Sequence, residues 1–386
     1  MSFKLLEKKG SNLTFFESVA LLTGAVVGAG YLGIPFVVSR IGFPLGVLLI
    51  VAIGLIVMVQ YLALTEITLR TKGKHQIAGY VEKYLGKRTA RVVEAFFVLE
   101  IYGVMLAFLI GEGRVLFAVF GGEPMVYSLI FFVITAIIIF YGLKLIEHIE
   151  FLLTLVIMTL IAGIAFFSWS SIRFENLEVS EISGIVSAYG VILFAFLGAA
   201  VIPEIRQALK GREKMFSKTV VVGALIPIVL YIVFTFAVLG VTGSQTTEIA
   251  TIGLGEALGK WAIVAGNLLA ALTMTAGFLT GALALKEVFW FDMKLKKPLA
   301  FSLTMIGPFI LLLAGIKSFI EILFIVGAVF GGLQGIILVL TWWTATKHGD
   351  RKPEFVLHHK RLTGTVLIAV FVFGFVYTLL HITGRV

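Results

Sequence analysis

The chain has 386 residues, of which 59% are hydrophobic and only 14% are charged, whereas soluble domains usually contain about 25% charged residues. Its repeated apolar runs are each about as long as a bilayer is thick, which excludes a soluble globular domain and indicates an all-α integral membrane protein. The net charge of +9 does not indicate a nucleic-acid partner, because the basic residues lie in short loops between apolar runs. The absence of cysteine excludes disulfides and thiolate metal sites.

Eleven apolar runs predict eleven transmembrane helices, which we call spans 1 to 11. Their predicted positions are 14–38, 43–69, 91–120, 125–143, 149–170, 184–208, 217–240, 257–287, 298–315, 318–344 and 362–382. If segment 1–13 is cytoplasmic, 25 of the 31 Lys and Arg residues lie inside and 6 lie outside. This asymmetry follows the positive-inside rule. We therefore expect a multi-pass protein in the lipid bilayer of the cell (plasma) membrane, with its N-terminus in the cytoplasm and its C-terminus outside.

Two connecting loops are long enough to hold structure. On the inner side, "KHQIAGYVEKYLGKR" places Ile77, Tyr80, Val81, Tyr84 and Leu85 at helical spacing, which predicts a short amphipathic helix on the membrane face. On the outer side, "TTEIATIGLGEALGKW" before span 8 could form a small helical lid. A solvated connector is the alternative for both loops.

Span 1 contains the stretch "TGAVVGAGYLGIPF", residues 23–36, with four glycines and a proline. Glycine inside a helix costs about 1 kcal/mol relative to alanine, and proline costs about 3 kcal/mol. Interrupted backbone at this depth is tolerated where it lines a cavity or is buried in protein. A broken helix presents free N–H groups at one half and free C=O groups at the other, and these attract a carboxylate and an ammonium group. Span 1 is therefore predicted to be broken and to bind a zwitterion such as an amino acid.

Span 6 repeats this pattern. Its window "GAAVIP" begins at Gly198 and lies 168 residues after "GYLGIP", which begins at Gly30. Spans 1 and 6 enter the membrane from opposite sides, so 14–170 and 184–344 read as a five-plus-five inverted repeat, with 362–382 as an extra helix. Broken helices in corresponding positions of two repeats are typical of secondary transporters. The alternative is that the glycines allow close helix packing, and Gly24 and Gly28 have the four-residue spacing for it.

These motifs resemble those of a known superfamily. "TGAVVGAGYLGIPF" is similar to the opening motif of the hydroxy/aromatic amino acid permeases and the amino acid/auxin permeases, both in the amino acid–polyamine–organocation superfamily. Residues 208–243 resemble the stretch after the sixth helix in bacterial members. "TAGFLTGALAL" in span 8 is similar to a Ser-Phe-Leu-Gly stretch of the aromatic permeases, but it has Ala276 and Gly277 where hydroxyl residues are common.

The resemblance implies a set of substrate-binding positions. The N–H groups of Ala29 and Gly30 would bind the substrate carboxylate. The carbonyls of Val26, Phe194 and Ala195 would meet its ammonium group. Phe196 and Gly198 would face its side chain.

Several polar residues inside the predicted spans are candidates for ion coupling or substrate contact. Glu100 could carry a proton or could be a structural carboxylate paired with a basic residue. Thr273 or Thr275, opposite the carbonyls of Gly24 and Val27, could complete a sodium site or could bond back to their own helix. Tyr102 could contact substrate or belong to the core. Glu112 and Arg114 are expected to be solvated or paired at the outer end of span 3.

The sequence therefore predicts a secondary active transporter of neutral, aromatic or hydrophobic amino acids. It would work by alternating access, coupled to protons, with sodium symport or exchange as the alternative. No cofactor or metal site is expected beyond a coupling H⁺ or Na⁺. The oligomeric state is left open. A channel would need a polar stripe along several helices, and a transporter-like nutrient sensor usually carries a soluble extension. Neither feature is visible, and the sequence shows no enzyme motif.

Overall fold

In this computed structural model, residues 14–141, 146–178 and 184–383 are described, without the side chains of 146–154 and Asp292. The predicted cytoplasmic segment 1–13 lies outside the described residues. Within the described ranges the chain forms helices and no strand. The α-helices are α1 Phe15–Val26, α2 Ile34–Ile41, α3 Phe43–Arg70, α4 Ile77–Leu85, α5 Lys87–Phe120, α6 Pro124–Tyr141, α7 Ile146–Ser168, α8 Ile185–Ala195, α9 Ile202–Ala208, α10 Phe216–Thr242, α11 Ala250–Leu258, α12 Lys260–Glu287, α13 Lys297–Leu313, α14 Phe319–Ile325, α15 Gly332–His348 and α16 Lys360–Ile382.

The apolar helices coincide with the predicted spans. In the part of the chain that is described, eight helices are long and apolar enough to cross a membrane, and the bent pair Phe15–Val26 with Ala29–Ile41 makes a ninth. Two shorter apolar helices, Leu155–Ser171 and Lys297–Leu313, fall where spans 5 and 9 are predicted. The protein is thus a multi-pass membrane protein, while the count of eleven and the inverted repeat stay predictions.

Local sequence explains where several helices begin and end. Thr14 and Glu17 form a capping box at the start of α1, which satisfies two of the N–H groups that a helix start leaves free. Only Gly42 separates α2 from α3, and only Gly86 separates α4 from α5. Both have positive φ, 84° and 90°, a conformation that only glycine adopts readily. These two glycines therefore permit one-residue reversals between successive helices.

Both predicted loop helices are present. The inner one is α4, and its buried residues Tyr80, Val81 and Tyr84 face α5 and α15, against which α4 packs. The outer one is α11, which packs on α12 and also reaches α2 and the 3-10 turn Ala29–Gly33. The loop predicted to lie outside thus forms a helix that contacts the middle of span 1.

The centre of the molecule is built around α10 and α8. Helix α10 packs against α1, α2, α3 and α7, while α8 packs against α2, α3, α14 and the 3-10 turn. Helix α12 packs along α5. A π-helical turn, Val326–Gly331, connects α14 to α15 and lies against α8. The two interrupted spans are therefore enclosed by other helices rather than by lipid, as interrupted backbone within a membrane requires.

Candidate functional site

Span 1 is interrupted at Val27 and Gly28, which we call the first break. The last helical hydrogen bond of α1 runs from the Val27 N–H to the Thr23 carbonyl at 2.7 Å. The Gly28 N–H instead donates to the Val26 carbonyl, two residues earlier, at 2.8 Å. A 3-10 turn over Ala29–Gly33 follows, and the two halves of the span are bent by 46°. The helix break predicted from the glycines and Pro35 is present.

The first break leaves two buried N–H groups before the next helical bond. The 3-10 turn starts at Ala29, so the N–H groups of Ala29 and Gly30 precede its first internal hydrogen bond. Both residues are buried, and no bond from these two groups is seen among the described residues. These are the two N–H groups for which the resemblance implies a carboxylate contact, which stays a prediction.

Span 6 is interrupted at Phe196 to Gly198, which we call the second break. Helix α8 ends at Ala195, a short 3-10 turn covers Ala199–Val201, and α9 follows. The Phe196 N–H bonds to the Leu193 carbonyl at 3.1 Å, and the Leu197 N–H bonds to the Phe194 carbonyl at 3.0 Å. The Phe194 carbonyl, predicted to meet an ammonium group, is thus already bonded within the break.

The two breaks are in direct contact. A Cβ atom on Gly30 would stand 2.7 Å from the Ala195 Cα atom and 2.8 Å from the Phe194 ring. A Cβ atom on Gly198 would stand 2.6 Å from a methyl carbon of Val26. At Gly30 the near atom is backbone, which real Cβ atoms do not approach this closely, so proximity requires glycine there. At Gly198 the near atom is a side-chain methyl, which would have to shift to admit a Cβ atom. The structure therefore brings together the whole substrate-binding set predicted on the two breaks.

Two tyrosine hydroxyls bind the carbonyls of the breaks. Tyr231 of α10 donates toward the Ala195 carbonyl at 2.7 Å and the Val26 carbonyl at 3.0 Å. Tyr61 of α3 donates to the Phe196 carbonyl. Both tyrosines are buried. Sequence reasoning missed them, although a tyrosine inside an apolar span needs an acceptor for its hydroxyl and could have been flagged on that ground.

The threonines predicted for a sodium site use their hydroxyls elsewhere. Thr273 donates to the Leu269 carbonyl of its own helix at 2.7 Å. Thr275 donates to the Glu112 carboxylate at 2.7 Å. The carbonyls of Gly24 and Val27 come after the last carbonyl that accepts a helical hydrogen bond in α1, that of Thr23. Their oxygens have the chemistry of cation ligands. Both hydroxyls thus donate to protein acceptors, and the sodium site stays a prediction.

Glu112 differs from expectation. Its side chain is buried, only 2% exposed, and its partner is Thr275 of α12. Arg114, two residues on, pairs instead with Glu248 at 2.8 Å. Glu112 is thus not solvated, and among the described residues no cation pairs with it. The reason is that α12 packs along α5 and covers this part of it.

Glu100 lies on α5 three residues before Gly103 and four residues after Phe96, so the three share one helix face. Phe96 packs on Phe330 with ring centroids 6.1 Å apart, and a Cβ on Gly103 would contact Val326. Glu100 therefore faces the π-helical turn. In the described part of the chain it makes no hydrogen bond and no ion pair. The alternative of a paired structural carboxylate finds no partner there.

Tyr102 is held by α13. Its hydroxyl donates to the Leu303 carbonyl at 2.7 Å, and its ring occupies the space beside Gly307. Neither contact involves the breaks. Tyr102 is thus a partly buried side chain packed on α13, and its contact with substrate stays a prediction.

A buried carboxylate that the sequence did not single out lies at the predicted inner side. Glu66 is fully buried. Arg70 and Lys360 pair with it at 2.7 and 3.2 Å, and the Trp342 indole N–H and the Leu357 N–H donate to it at 2.9 and 3.0 Å. Two cations and two N–H donors match the charge and the lone pairs of one carboxylate, so Glu66 joins α3, α15 and α16 as a structural ion cluster.

A second group of polar contacts, centred on Glu248, lies at the opposite end of the helical bundle. Glu248, in the loop before α11, pairs with Arg114 and also accepts the Phe319 N–H at 3.0 Å, where α14 begins. Arg114 donates in addition to the Lys317 carbonyl at 2.8 Å. The loop before α11 is thereby fastened to α5 and α14, on the side opposite the Glu66 cluster.

Two interrupted helices that meet inside a multi-pass helical bundle define the protein as a membrane transporter. The match to a family model then gives the family: the chain belongs to the tryptophan/tyrosine permease family, whose model matches residues 11–381. Because this is a family of permeases, the chain is an amino acid transporter and not an enzyme.

Relatives agree with this assignment. The chain is 26% identical over 388 residues to "Tyrosine-specific transport system 1" of Haemophilus influenzae, covering 94% of each protein. It is 25% identical over 293 residues to "Glutamine transporter 2" of Aliivibrio fischeri, covering 71% of this chain and 74% of that protein. These relatives differ in the amino acid they are named for, so the family does not fix the substrate.

Solved structures share the fold. MhsT in complex with L-phenylalanine superposes with a TM-score of 0.66 over 94% of this chain and 97% of that one, at 14% identity. The inward-facing conformation of Mhp1 superposes with a TM-score of 0.62, covering 85% and 75% at 12% identity. At these identities the likeness concerns the fold alone.

Proposed function

We propose that this chain is a secondary active transporter of neutral, aromatic or hydrophobic amino acids that works by alternating access around the two breaks. One observation carries the proposal. The buried N–H groups of Ala29 and Gly30 lie where the first break meets the carbonyl end of α8 at Ala195. N–H groups at a helix start attract a carboxylate, and carbonyls at a helix end attract an ammonium group. The carboxylate and the ammonium group of one amino acid could therefore bind at the same place.

The side chains at the second break support an apolar or aromatic substrate. Phe194 lies against Gly30, and Phe196 packs on Tyr231 with ring centroids 5.0 Å apart. Aromatic faces bind apolar and aromatic groups well. The relative named for tyrosine agrees with this class, and the relative named for glutamine makes glutamine the competitor to test.

For the driving ion we propose the proton, with Glu100 as the predicted carrier and Glu112 as a second candidate. Ionisable residues at membrane depth are candidate proton relays. Glu66 has two cationic partners, whereas no cation pairs with Glu100 or Glu112 in the described ranges. Sodium symport stays the alternative, with Gly24, Val27, Thr273 and Thr275 as its predicted site. Both hydroxyls donate their protons to protein acceptors and keep their oxygen lone pairs for a cation, so the ion-gradient experiment below decides between the two ions.

The proposal treats 14–170 and 184–344 as inverted repeats, with 362–382 appended and the N-terminus in the cytoplasm. The position of one break near the start of each half supports it. The chain has no cysteine, so single cysteines can report sidedness without a background. We expect a membrane-impermeant maleimide to label Lys260→Cys on intact cells, and to label His358→Cys only after the membrane is opened. The reverse pattern would overturn the orientation.

Transport is tested with the purified protein in liposomes. Liposomes loaded with unlabelled tyrosine should accumulate labelled tyrosine by exchange, and phenylalanine, tryptophan and leucine should compete better than Asp, Glu or Lys. Strongest competition by a charged amino acid would contradict the substrate class, and strongest competition by glutamine would contradict the aromatic preference.

A pH gradient alone, in sodium-free buffer, should drive accumulation. Accumulation with a sodium gradient at equal pH, and none with the pH gradient, would show that the coupling proposal is wrong.

A further inference from the structure

Tyr231 is the side chain that connects the two breaks. It comes from α10, it is fully buried, and its hydroxyl oxygen lies 3.0 Å from the Val26 carbonyl oxygen and 2.7 Å from the Ala195 carbonyl oxygen. One of these carbonyls belongs to the end of α1 and the other to the end of α8. A single hydroxyl therefore sits between the two helix ends.

The two carbonyls need a donor whenever they are buried. Each ends a helix, so neither has the helical partner that an interior carbonyl would have. The Val26 carbonyl also accepts the Gly28 N–H at 2.8 Å, whereas the hydrogen bond seen at the Ala195 carbonyl comes from Tyr231. A buried carbonyl without a donor is unfavourable. Tyr231 supplies to these oxygens the positive end of an O–H dipole, the same polarity that an ammonium group would present.

The breaks can also close directly on each other. At Gly30 the backbone of the first break approaches the Ala195 Cα so closely that even a methyl group would not fit. A substrate whose carboxylate binds at Gly30 must therefore hold the two breaks further apart than they stand here. When the breaks close again, both carbonyls are buried together; the Val26 carbonyl keeps the Gly28 N–H, and the Ala195 carbonyl needs a donor other than the substrate.

We propose that Tyr231 stands in for the substrate's ammonium group, and that it thereby allows the substrate-free carrier to close its two breaks and reorient. The inference rests on the proposed amino acid transport at these breaks. In the loaded carrier the ammonium group donates to the two carbonyls, and the Tyr231 hydroxyl no longer does. In the return step the hydroxyl donates to them again.

This role separates two transport modes. Net uptake requires the substrate-free carrier to reorient in every cycle, so it depends on the closed state that Tyr231 stabilises. Exchange of internal for external substrate uses only the loaded carrier, so it does not. Loss of the hydroxyl should therefore reduce net uptake selectively.

The test uses Tyr231→Phe in liposomes, with gradient-driven net uptake and tyrosine exchange measured on the same preparation. We expect net uptake to fall at least about tenfold relative to exchange, which corresponds to about 1.4 kcal/mol. The matched control is Tyr61→Phe, which removes a buried hydroxyl from the Phe196 carbonyl of the second break but does not link the breaks. The control should leave the ratio of net uptake to exchange unchanged.

The outcomes are distinct. If Tyr231→Phe shows wild-type net uptake and wild-type exchange, the proposal is overturned. A folded variant that loses both to the same extent would also overturn it. Failure of wild-type protein to exchange any amino acid would instead contradict the proposed function. If Tyr231→Phe does not fold, 3-fluorotyrosine at position 231 keeps the hydroxyl, and its ¹⁹F resonance should shift when tyrosine is added. No shift with bound substrate would overturn the proposal.

Discussion

Gly30 lies directly against Ala195, so that a Cβ atom on Gly30 would stand 2.7 Å from the Ala195 Cα. This contact places the N–H end of one interrupted helix against the carbonyl end of the other. Because the neighbour is backbone rather than a flexible side chain, it cannot move aside without separating the two breaks. The contact is therefore a sensitive point of the proposed transport cycle.

We predict that Gly30→Ala strongly reduces transport, because the added methyl group keeps the breaks apart. Overpacking of this kind costs about 1–3 kcal/mol, which corresponds to a loss of roughly 5- to 150-fold. The matched control is Gly28→Ala, two residues earlier, where a Cβ atom would meet nothing within 4 Å. The measurement is gradient-driven net uptake of tyrosine in liposomes, which requires the breaks to close in every cycle. Equal activity of the two variants would show that the contact at Gly30 does not limit the cycle.

A second prediction concerns the Glu66 cluster, in which two cations and two N–H donors surround one buried carboxylate. Glu66→Ala leaves the cations without their partner, and removal of one member of a buried pair costs about 3–5 kcal/mol. We expect a clear fall in the thermal unfolding temperature of the purified protein. Glu82→Ala, on the exposed side of α4, should leave it unchanged. Similar melting of both variants would contradict a structural role for the cluster.

The breaks could be predicted from sequence because their cause is local. Glycine and proline disfavour helix wherever they stand, so "GYLGIP" and "GAAVIP" indicate interruptions without knowledge of any neighbour. The spans could be predicted for the same reason, since a long apolar run needs only its own residues to form a helix in lipid.

The partners of polar side chains could not be predicted in this way. Tyr231 and Val26 are 205 residues apart, and Trp342 and Glu66 are 276 apart. Which hydroxyl or indole meets which oxygen depends on how whole helices pack. Trp342 illustrates the point: its position near the end of span 10 is typical of an interfacial tryptophan, yet the side chain is fully buried against Glu66.

A third prediction concerns Glu100. If it carries the coupling proton, Glu100→Gln should abolish accumulation driven by a pH gradient, because glutamine cannot bind and release a proton. Exchange should persist, since it needs no net protonation cycle. Both are measured in liposomes on one preparation of the variant. Unchanged pH-driven accumulation by Glu100→Gln would remove Glu100 from the coupling mechanism and leave Glu112 as the remaining candidate.

The last prediction concerns the pair formed by Glu112 and Thr275, which connects α5 to α12 with a hydrogen bond of 2.7 Å. Thr275→Val removes this hydroxyl at nearly constant volume, and so tests both its hydrogen bond to Glu112 and any sodium binding by its oxygen. If the hydroxyl serves Glu112, Thr275→Val should alter the pH dependence of uptake and leave its insensitivity to sodium unchanged. Glu112→Gln should alter the pH dependence in the same assay, and the double variant should show no additional effect, because residues that act as a pair are not additive. Thr273→Val is the matched control, because the Thr273 hydroxyl bonds back to its own helix. Sodium-dependent uptake in the wild type that Thr275→Val removes would instead assign Thr275 to a sodium site.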